Sequence, residues 1–501
     1  MGFREVLSLN AFLFLTLGVF LGLIVGAIPG LNDNITLAIL IPITFGMDAK
    51  IAMMLLVGVY ASACYGGSLP AILLKIPGTA SSVVTCRDGY AMTLKGEANQ
   101  ALGISAVSSV FGGIMSSLVL IFFAPFLARQ ALRFGPPEYF ALTILGISTV
   151  VGMSNKKYAI KNLIACVLGL LFSMVGMSTQ TGFPRFWFNN DYLLEGIPFI
   201  PMLIGLFGVA SILELSETIN KEMIGKVKLL YKSKSVRILP SRKMVKRLFP
   251  TWVISGGIGN IIGIIPGAGM LMAIYLSYDQ AKRMNKDKIF GTGIPEGIAA
   301  PEAANNAVVA SSMVPLLALG IPGNSASALF IGALMIQGLR PGPALFKNYP
   351  EVAYSILVGF LVANILMGPM GIILGKFLVK YIFIIPRSFL SGAILLLCIT
   401  GSFAMGNSIF NIGVMLFFAI VGYIFNKFNL SMSGFILAIV LGPIMETNFL
   451  QSMILSKGNP FIFLERGLSF VLLFIAFCFI FSPLLTFLKN NKKKLIKNKL
   501  H

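Results

Sequence analysis

Two short polar runs sit directly after Pro-Gly pairs in otherwise apolar sequence. Thr79, Ser81 and Ser82 follow Pro77-Gly78, and Asn324, Ser325 and Ser327 follow Pro322-Gly323. Proline removes a backbone donor and breaks a helix. Glycine admits positive φ and close approach of a ligand. Short hydroxyl and amide residues just after such a break are favoured N-caps. A helix that restarts there presents free N–H groups and the positive end of its dipole, which suits an anion such as a carboxylate. The bland alternative is a kinked helix whose cap is satisfied locally. Lys75, the sole base in its apolar stretch, stands beside the Pro77 break; it either meets a substrate carboxylate or snorkels to an interface.

Two further clusters offer oxygen ligands. Asn32, Asp33 and Asn34 follow Pro29-Gly30, and Asp33 is an acid in a chain with few of them. Ionisable groups within a membrane are costly and commonly functional, so these three residues are read as a Na⁺ site, against a surface loop that merely caps a helix. Glu302, Asn305 and Asn306 lie three and four residues apart and share a helical face. They are either coupling-cation or substrate ligands, or a capped helix entrance with Asn306 gluing helices.

The elements that must position these residues repeat. Gly26-Ala27-Ile28-Pro29-Gly30 is echoed as Gly263-Ile264-Ile265-Pro266-Gly267, with four of five positions identical. PAILLKIPGTASS (70–82) is echoed as PLLALGIPGNSAS (315–327), with six of thirteen identical. Paired Gly/Pro-interrupted apolar segments in two halves point to a transporter's binding site. The repetition favours the ligand-site reading. The substrate-binding candidates are therefore Gly30, Lys75, Gly78, Thr79, Ser81, Gly267, Gly323, Asn324, Ser325 and Ser327. The cation-coupling candidates are Asn32, Asp33, Asn34, Glu302, Asn305 and Asn306.

Composition places this pattern in a bilayer. Of 501 residues 56% are hydrophobic and 11% charged, against ~25% charged in soluble domains. Many runs approach the ~20 residues that span a membrane, and none alternates as a β-barrel strand would. The expectation is an all-α polytopic membrane protein with two inverted repeats, broken helices or re-entrant hairpins, and extra C-terminal helices. The net charge of +21 sits in loops and the C-terminus without aromatic interleaving, which fits the positive-inside bias and anionic lipid rather than nucleic acid. Cys64, Cys86, Cys166, Cys398 and Cys478 form no C-x-x-C pair, and the single histidine is His501. No Walker sequence or nucleophile–base pair is visible, so neither ATP hydrolysis nor another enzyme activity is expected, and no cofactor. The N-terminus reads as a retained first helix.

Charge runs set the topology. Residues 214–250 carry ten Lys/Arg and three acids, and 489–501 carry six Lys and no acid; both are placed in the cytoplasm. The chain then divides into five regions: a first transmembrane repeat (1–213), the basic linker (214–250), a second repeat (251–429), additional helices (430–488) and the tail (489–501). The stretch 251–281 starts and ends at basic residues, so it reads as a re-entrant hairpin or two short spans. A span over 103–125 starts inside near Lys95. The loop after Ser82 falls inside and the loop after Ser327 outside, which makes the repeats inverted. Pro137–Phe140 and Pro386–Phe389 form a weaker third echo.

Three strings, YGGSLPAILLKIPGTASSVVTCRDGYAMTLKGEANQALG (65–103), GIIPGAG (263–269) and FGTGIPEGIAAPEAANNAVVASSMVPLLALGIPGNSASALFIGALMIQGLRPGPALF (290–346), resemble the large membrane subunit of the tripartite tricarboxylate transporters, the TctA type. The likeness covers most of the chain. It implies a bacterial inner-membrane secondary transporter that imports di- and tricarboxylates such as citrate by alternating access, coupled to Na⁺ or H⁺. It also implies two partners, a small four-helix membrane subunit and a periplasmic substrate-binding protein. By the resemblance, the loops at Gly78 and Gly323 and the Asn305-Asn306 pair line a central site. Asn32-Asp33-Asn34 and Lys75 depart from the small residues and the Asn usual at those places. The alternative from another class is a channel or lipid-handling membrane protein without a binding-protein partner.

Overall fold

Long apolar runs with few polar residues fold as long helices, because a bilayer leaves backbone groups no partner but each other. A computed structural model of the chain describes residues 2–28, 30–153, 158–178, 180–217, 238–382 and 387–481. Pro29, Lys156, Lys157, residues 218–237 of the linker, Pro386 and the basic tail lie outside the described residues.

The first half contains α1 (Gly2–Val6), α2 (Leu9–Ala27), α3 (Asp33–Leu40), α4 (Ala49–Gly66), α5 (Ser68–Leu74), α6 (Thr85–Leu94), α7 (Ala98–Ala131), α8 (Pro136–Gly152), α9 (Ala159–Ser173), α10 (Phe199–Leu203) and α11 (Ala210–Glu217). A π-helical stretch, Ile204–Val209, joins α10 to α11. A two-residue hairpin, β1 (Gly176–Met177) with β2 (Pro184–Arg185), is the one sheet among the described residues. The second half contains α12 (Arg242–Ile264), α13 (Met270–Met284), α14 (Pro295–Ser311), α15 (Met313–Leu319), α16 (Ser325–Ile336), α17 (Pro343–Asn348), α18 (Pro350–Ile382), α19 (Arg387–Ala404), α20 (Ile409–Phe428), α21 (Met432–Leu455) and α22 (Ile462–Glu465). A last apolar helix, α23, covers Gly467–Phe481. Six of the described helical segments are long and apolar enough to cross a membrane, and shorter apolar helices accompany them. The chain is an all-α, multi-pass membrane protein.

Prolines fall inside the longest rods. The expected span over 103–125 stops at Pro125, yet α7 runs on to Ala131. At 1.5 Å per residue its 34 residues reach about 51 Å, well beyond the ~30 Å hydrocarbon core. Neighbouring helices satisfy the groups that a membrane proline frees. The stretch 251–281 resolves into α12 and α13, broken between Ile264 and Met270.

Helix α2 lies along α4, and α12 along α14; α14 in turn packs on α7. The reason is glycine at every fourth position. Gly18, Gly22 and Gly26 of α2 face the backbone of Leu55, Val59 and Ala63 on α4 so closely that no Cβ fits. On α12, Gly259 meets the backbone of Ala304 on α14 in the same way, and Gly263 makes room for the Ser311 side chain of α14. Small residues at this spacing let membrane helices approach backbone to backbone.

The breaks follow one backbone path twice. Ile28 (φ −82°, ψ 117°) ends α2, and Ile265 (φ −80°, ψ 115°) ends α12. Left-handed residues end α5 and α15: Lys75 at φ 63° and Gly320 at φ 74°. Next, Ile76 N–H bonds Pro70 O at 3.4 Å, and Ile321 N–H bonds Pro315 O at 3.3 Å.

One buried acid crosses between the halves. Asp88, at the first turn of α6, is fully buried. Its Oδ1 accepts the backbone N–H groups of Gly291, Gly293 and Ile294 at 2.9, 2.9 and 3.1 Å, and its Oδ2 accepts the Tyr278 hydroxyl at 3.0 Å. A carboxylate here satisfies backbone donors of the loop that leads into α14, the N-cap Ile294 among them.

Candidate functional site

Four helices begin around one small cavity. It measures about 220 Å³ and is lined by Asn32, Asp33 and Asn34 at the start of α3, Gly269 to Leu271 at the start of α13, Asn324 to Ala326 at the start of α16, and Ser433 at the start of α21. Thr79, Ala80 and Ser81, from the loop after the Pro77-Gly78 break, complete the wall. Each helix start carries N–H groups without an intrahelical partner and the positive end of a dipole.

The local sequence explains each wall. Asn32 Oδ1 accepts from Ile35 N–H at 2.9 Å and caps α3. Asn324 and Ser327 form a reciprocal capping box: Ser327 N–H donates to Asn324 Oδ1 at 2.9 Å, and Asn324 N–H donates to Ser327 Oγ at 2.8 Å. This leaves the Asn324 Nδ2 group directed to the Tyr60 hydroxyl at 2.9 Å, and that hydroxyl also meets Ser312 Oγ at 3.0 Å. Gly269, at φ 79°, precedes α13 with no side-chain cap. Ser325 Oγ and Ser433 Oγ share a 2.5 Å hydrogen bond across the wall.

The two Pro-Gly loops lead into different structures. Asn324 opens a twelve-residue helix. Thr79 opens only a 3₁₀ turn, Ala80–Ser82, and α6 begins at Thr85. The Thr79 hydroxyl makes no cap; it meets Ser81 Oγ at 2.9 Å. Val83 and Val84 come directly after, and β-branched residues do not favour a helix start.

Of the substrate candidates, the structure brings Thr79, Ser81, Asn324 and Ser325 to the cavity wall. Gly78, Gly267, Gly323 and Ser327 stand behind it. A Cβ at Gly78 would collide with Gly67 and with the carbonyl of Gly26, and one at Gly323 with the carbonyls of Ser312 and Gly263. Gly267 N–H bonds Gly323 O at 2.8 Å, tying two breaks together. Gly30 is exposed at φ 93° and off the wall. Lys75 is also exposed and off the wall, with its ammonium 5.9 Å from the Tyr90 ring centre.

The cation candidates divide as well. Asn32, Asp33 and Asn34 line the cavity, where Asp33 is the single charged side chain among the described residues. The Cys64 thiol lies 3.9 Å from Asp33 Oδ2, and Asn34 Oδ1 is buried without a partner. Glu302, Asn305 and Asn306 are fully buried on α14 and do not reach the wall. Asn305 Nδ2 donates to Cys64 O at 3.4 Å, so one residue of α4 touches both clusters.

Three contributors escaped the sequence reading. Tyr60 is one of thirteen tyrosines, and nothing local marks it. Ser433 lies beyond both repeats, though the polar Ser431-Met432-Ser433-Gly434 string before an apolar run was a readable helix start. Gly269 to Leu271 carry no side-chain oxygen or nitrogen to mark them.

The sequence profile described as "Tripartite tricarboxylate transporter TctA family" matches residues 12–437. A protein of Agrobacterium vitis, described as an uncharacterised 52.8 kDa protein in the TAR-I ttuC' 3' region, is 34% identical over 495 residues, which is 99% of this chain and 97% of that protein. A second from the same organism, from the TAR-II ttuC' 3' region, is 31% identical over 235 residues, covering 47% of this chain and 97% of its own length. No solved structure matches the chain. With the profile spanning most of the sequence and the longer relative aligned end to end, the chain belongs to the tripartite tricarboxylate transporter TctA family.

Proposed function

We propose that this chain is the large permease subunit of a binding-protein-dependent secondary transporter that imports di- or tricarboxylates across the bacterial inner membrane. The convergence of four helix starts on one polar cavity carries this reading. Broken membrane helices aim their half-helix N-termini at anionic substrate groups in other transporters. Drug-sized ligands occupy pockets of ~300–1,000 Å³, so the smaller cavity suits a compact acid. In this assignment Thr79, Ser81, Asn324, Ser325 and Ser433 orient the substrate carboxylates. Family membership supports a tripartite system; a small four-helix membrane subunit and a periplasmic binding protein are the proposed partners.

Asp33 gives the cavity its coupling logic. Among the described residues no Lys or Arg lines the wall, so an anion placed there meets a carboxylate and no side-chain cation from them. Like charges at close range are mutually unfavourable. Cancelling the Asp33 charge with Na⁺ or H⁺ removes that repulsion and links substrate binding to the cation gradient. Alternating access then moves the two glycine-sealed helix pairs, related as inverted repeats, against the remaining helices.

Uptake of a labelled carboxylate panel by proteoliposomes holding the complete complex tests the reading. Saturable uptake of a di- or tricarboxylate is expected, dependent on the binding protein and a cation gradient. Asp33→Asn should bind substrate with its cation dependence lost. Conduction without saturation or binding protein would support a channel instead. If Asn324→Leu and Thr79→Val both leave affinity unchanged, the cavity is not the substrate site.

A further inference from the structure

A second acid lies deeper, in a cage made wholly of hydroxyl groups. Glu302 Oε1 accepts from Ser68 Oγ at 2.6 Å and from Thr85 Oγ1 at 2.5 Å, and Oε2 accepts from Ser109 Oγ at 2.8 Å. All four residues are 0% exposed. Three hydroxyl donors match the acceptor capacity of an ionised carboxylate. Yet among the described residues no Lys or Arg forms a salt bridge with Glu302, whereas Glu296, two turns earlier on the same helix, has two. A buried charge is tolerated when it is paired.

The surroundings offer oxygens in excess. Asn305 Oδ1 and Asn306 Oδ1, on the next turn of α14, are buried and unbonded, while their amide nitrogens are held by Cys64 O and Glu302 O. The Tyr65 hydroxyl is likewise buried and unbonded. Unsatisfied acceptors beside an unpaired carboxylate call for a positive group. Hydroxyl, amide and carboxylate oxygens are the ligand set of a hard cation.

We propose that Glu302 is the seat of an occluded Na⁺ ion, held by its carboxylate and by the hydroxyl oxygens of Ser68, Thr85 and Ser109. The position of those donors gives the ion a use. Ser68 opens α5 and Thr85 opens α6, so they flank the Pro77-Gly78 loop on both sides. Ser109 lies on α7, and α14 leads through Ser312 to the second break. Filling the seat draws α5 and α6 to α14 and sets where Thr79 and Ser81 stand in the cavity wall. Emptying it leaves a buried charge held by hydroxyl groups alone, with no cation beside it, and loosens the same loop. The Na⁺ seat stands whether or not the cavity carries carboxylates; its part in coupling rests on the transport reading.

The test is thermal unfolding of the purified full chain in detergent, titrated with NaCl, KCl or choline chloride at constant ionic strength. A ligand bound by the folded state alone raises the unfolding temperature in a saturable way. Na⁺ is expected to give a saturable rise that K⁺ and choline do not. Glu302→Gln should abolish the rise, and Ser109→Ala and Thr85→Val should each move its Na⁺ midpoint by roughly tenfold, the factor that 1.4 kcal/mol represents. If Glu302→Gln does not fold, the Ser109→Ala and Thr85→Val midpoints decide: unchanged values overturn the proposal. So does an equal response to Na⁺ and K⁺, a response to pH alone, or a wild-type Na⁺ curve in Glu302→Gln. Asn324→Leu should keep the Na⁺ response while losing carboxylate uptake. Unchanged carboxylate uptake by Asn324→Leu with an intact Na⁺ curve would count against the cavity and leave the ion seat standing.

Discussion

Removing one oxygen, in Tyr60→Phe, tests whether the cavity depends on the aim of Asn324. Ser312 Oγ already donates its proton to Val309 O at 2.8 Å. The Tyr60 hydroxyl accepts from Asn324 Nδ2 at 2.9 Å and has one proton to give, with Ser312 Oγ at 3.0 Å and Asn324 Oδ1 at 3.3 Å as its acceptors. Without it, the Asn324 amide nitrogen loses its acceptor and only the Ser327 N–H bond to Oδ1 still aims the side chain. Losing a neutral hydrogen bond costs about 0.5–1.5 kcal/mol, and stranding a buried donor about 1–3 kcal/mol. Asn324 is half-buried at the cavity edge, where water can reach its amide, so the lower figures apply and about 1–2 kcal/mol is expected. That corresponds to roughly 5–30-fold weaker substrate binding. The assay is equilibrium binding and initial-rate uptake by the reconstituted complex, with detergent unfolding to confirm a folded chain. Apparent affinity should fall with little change in maximal rate. Tyr60→Phe combined with Asn324→Leu should be little worse than Asn324→Leu alone, since both remove one contact. Fully additive losses, or an unchanged affinity in Tyr60→Phe, would refute the role given to the amide.

Further tests address other parts of the structure. Gly22→Leu forces a side chain into the α4 backbone, beyond the ~1–3 kcal/mol of ordinary overpacking, and should abolish recovery of folded chain on size-exclusion chromatography. Lys75→Gly removes a left-handed non-glycine residue, a strain of about 1–2 kcal/mol partly offset by glycine's entropy. It should raise thermal stability modestly and leave substrate affinity intact; a large loss of affinity would return Lys75 to the site. In a cysteine-free background, a cysteine replacing Gly96 should label from the cytoplasm alone and one replacing Lys347 from the outside alone. Labelling of both from one side would mean parallel repeats.

The fold and half of the site were legible because they depend on local chemistry. Pro-Gly breaks followed by Thr79 or Asn324 announce themselves in sequence, as does Asp33 in an apolar run. The partition among candidates was not legible, because it depends on which face of a helix meets which neighbour. Glu302 and Asp33 look alike in sequence, yet the glycine seams press α14 into the interior and leave the start of α3 at the cavity edge. Tyr60 owes its part to contacts with Ser312 and Asn324, 252 and 264 residues away. The Gly18-Gly22-Gly26 seam was open to reading from spacing alone, though the Pro-Gly breaks are the louder signal.

Asp88 has a consequence for how the polypeptide matures. The acid is supplied by the first half, and the three amides it quiets belong to the segment that opens α14 in the second. During synthesis Asp88 must wait about two hundred residues until Gly291, Gly293 and Ile294 arrive. Neither half is then a self-sufficient folding unit. A chain interrupted before residue 291 would leave Asp88 without the three amides that hold it.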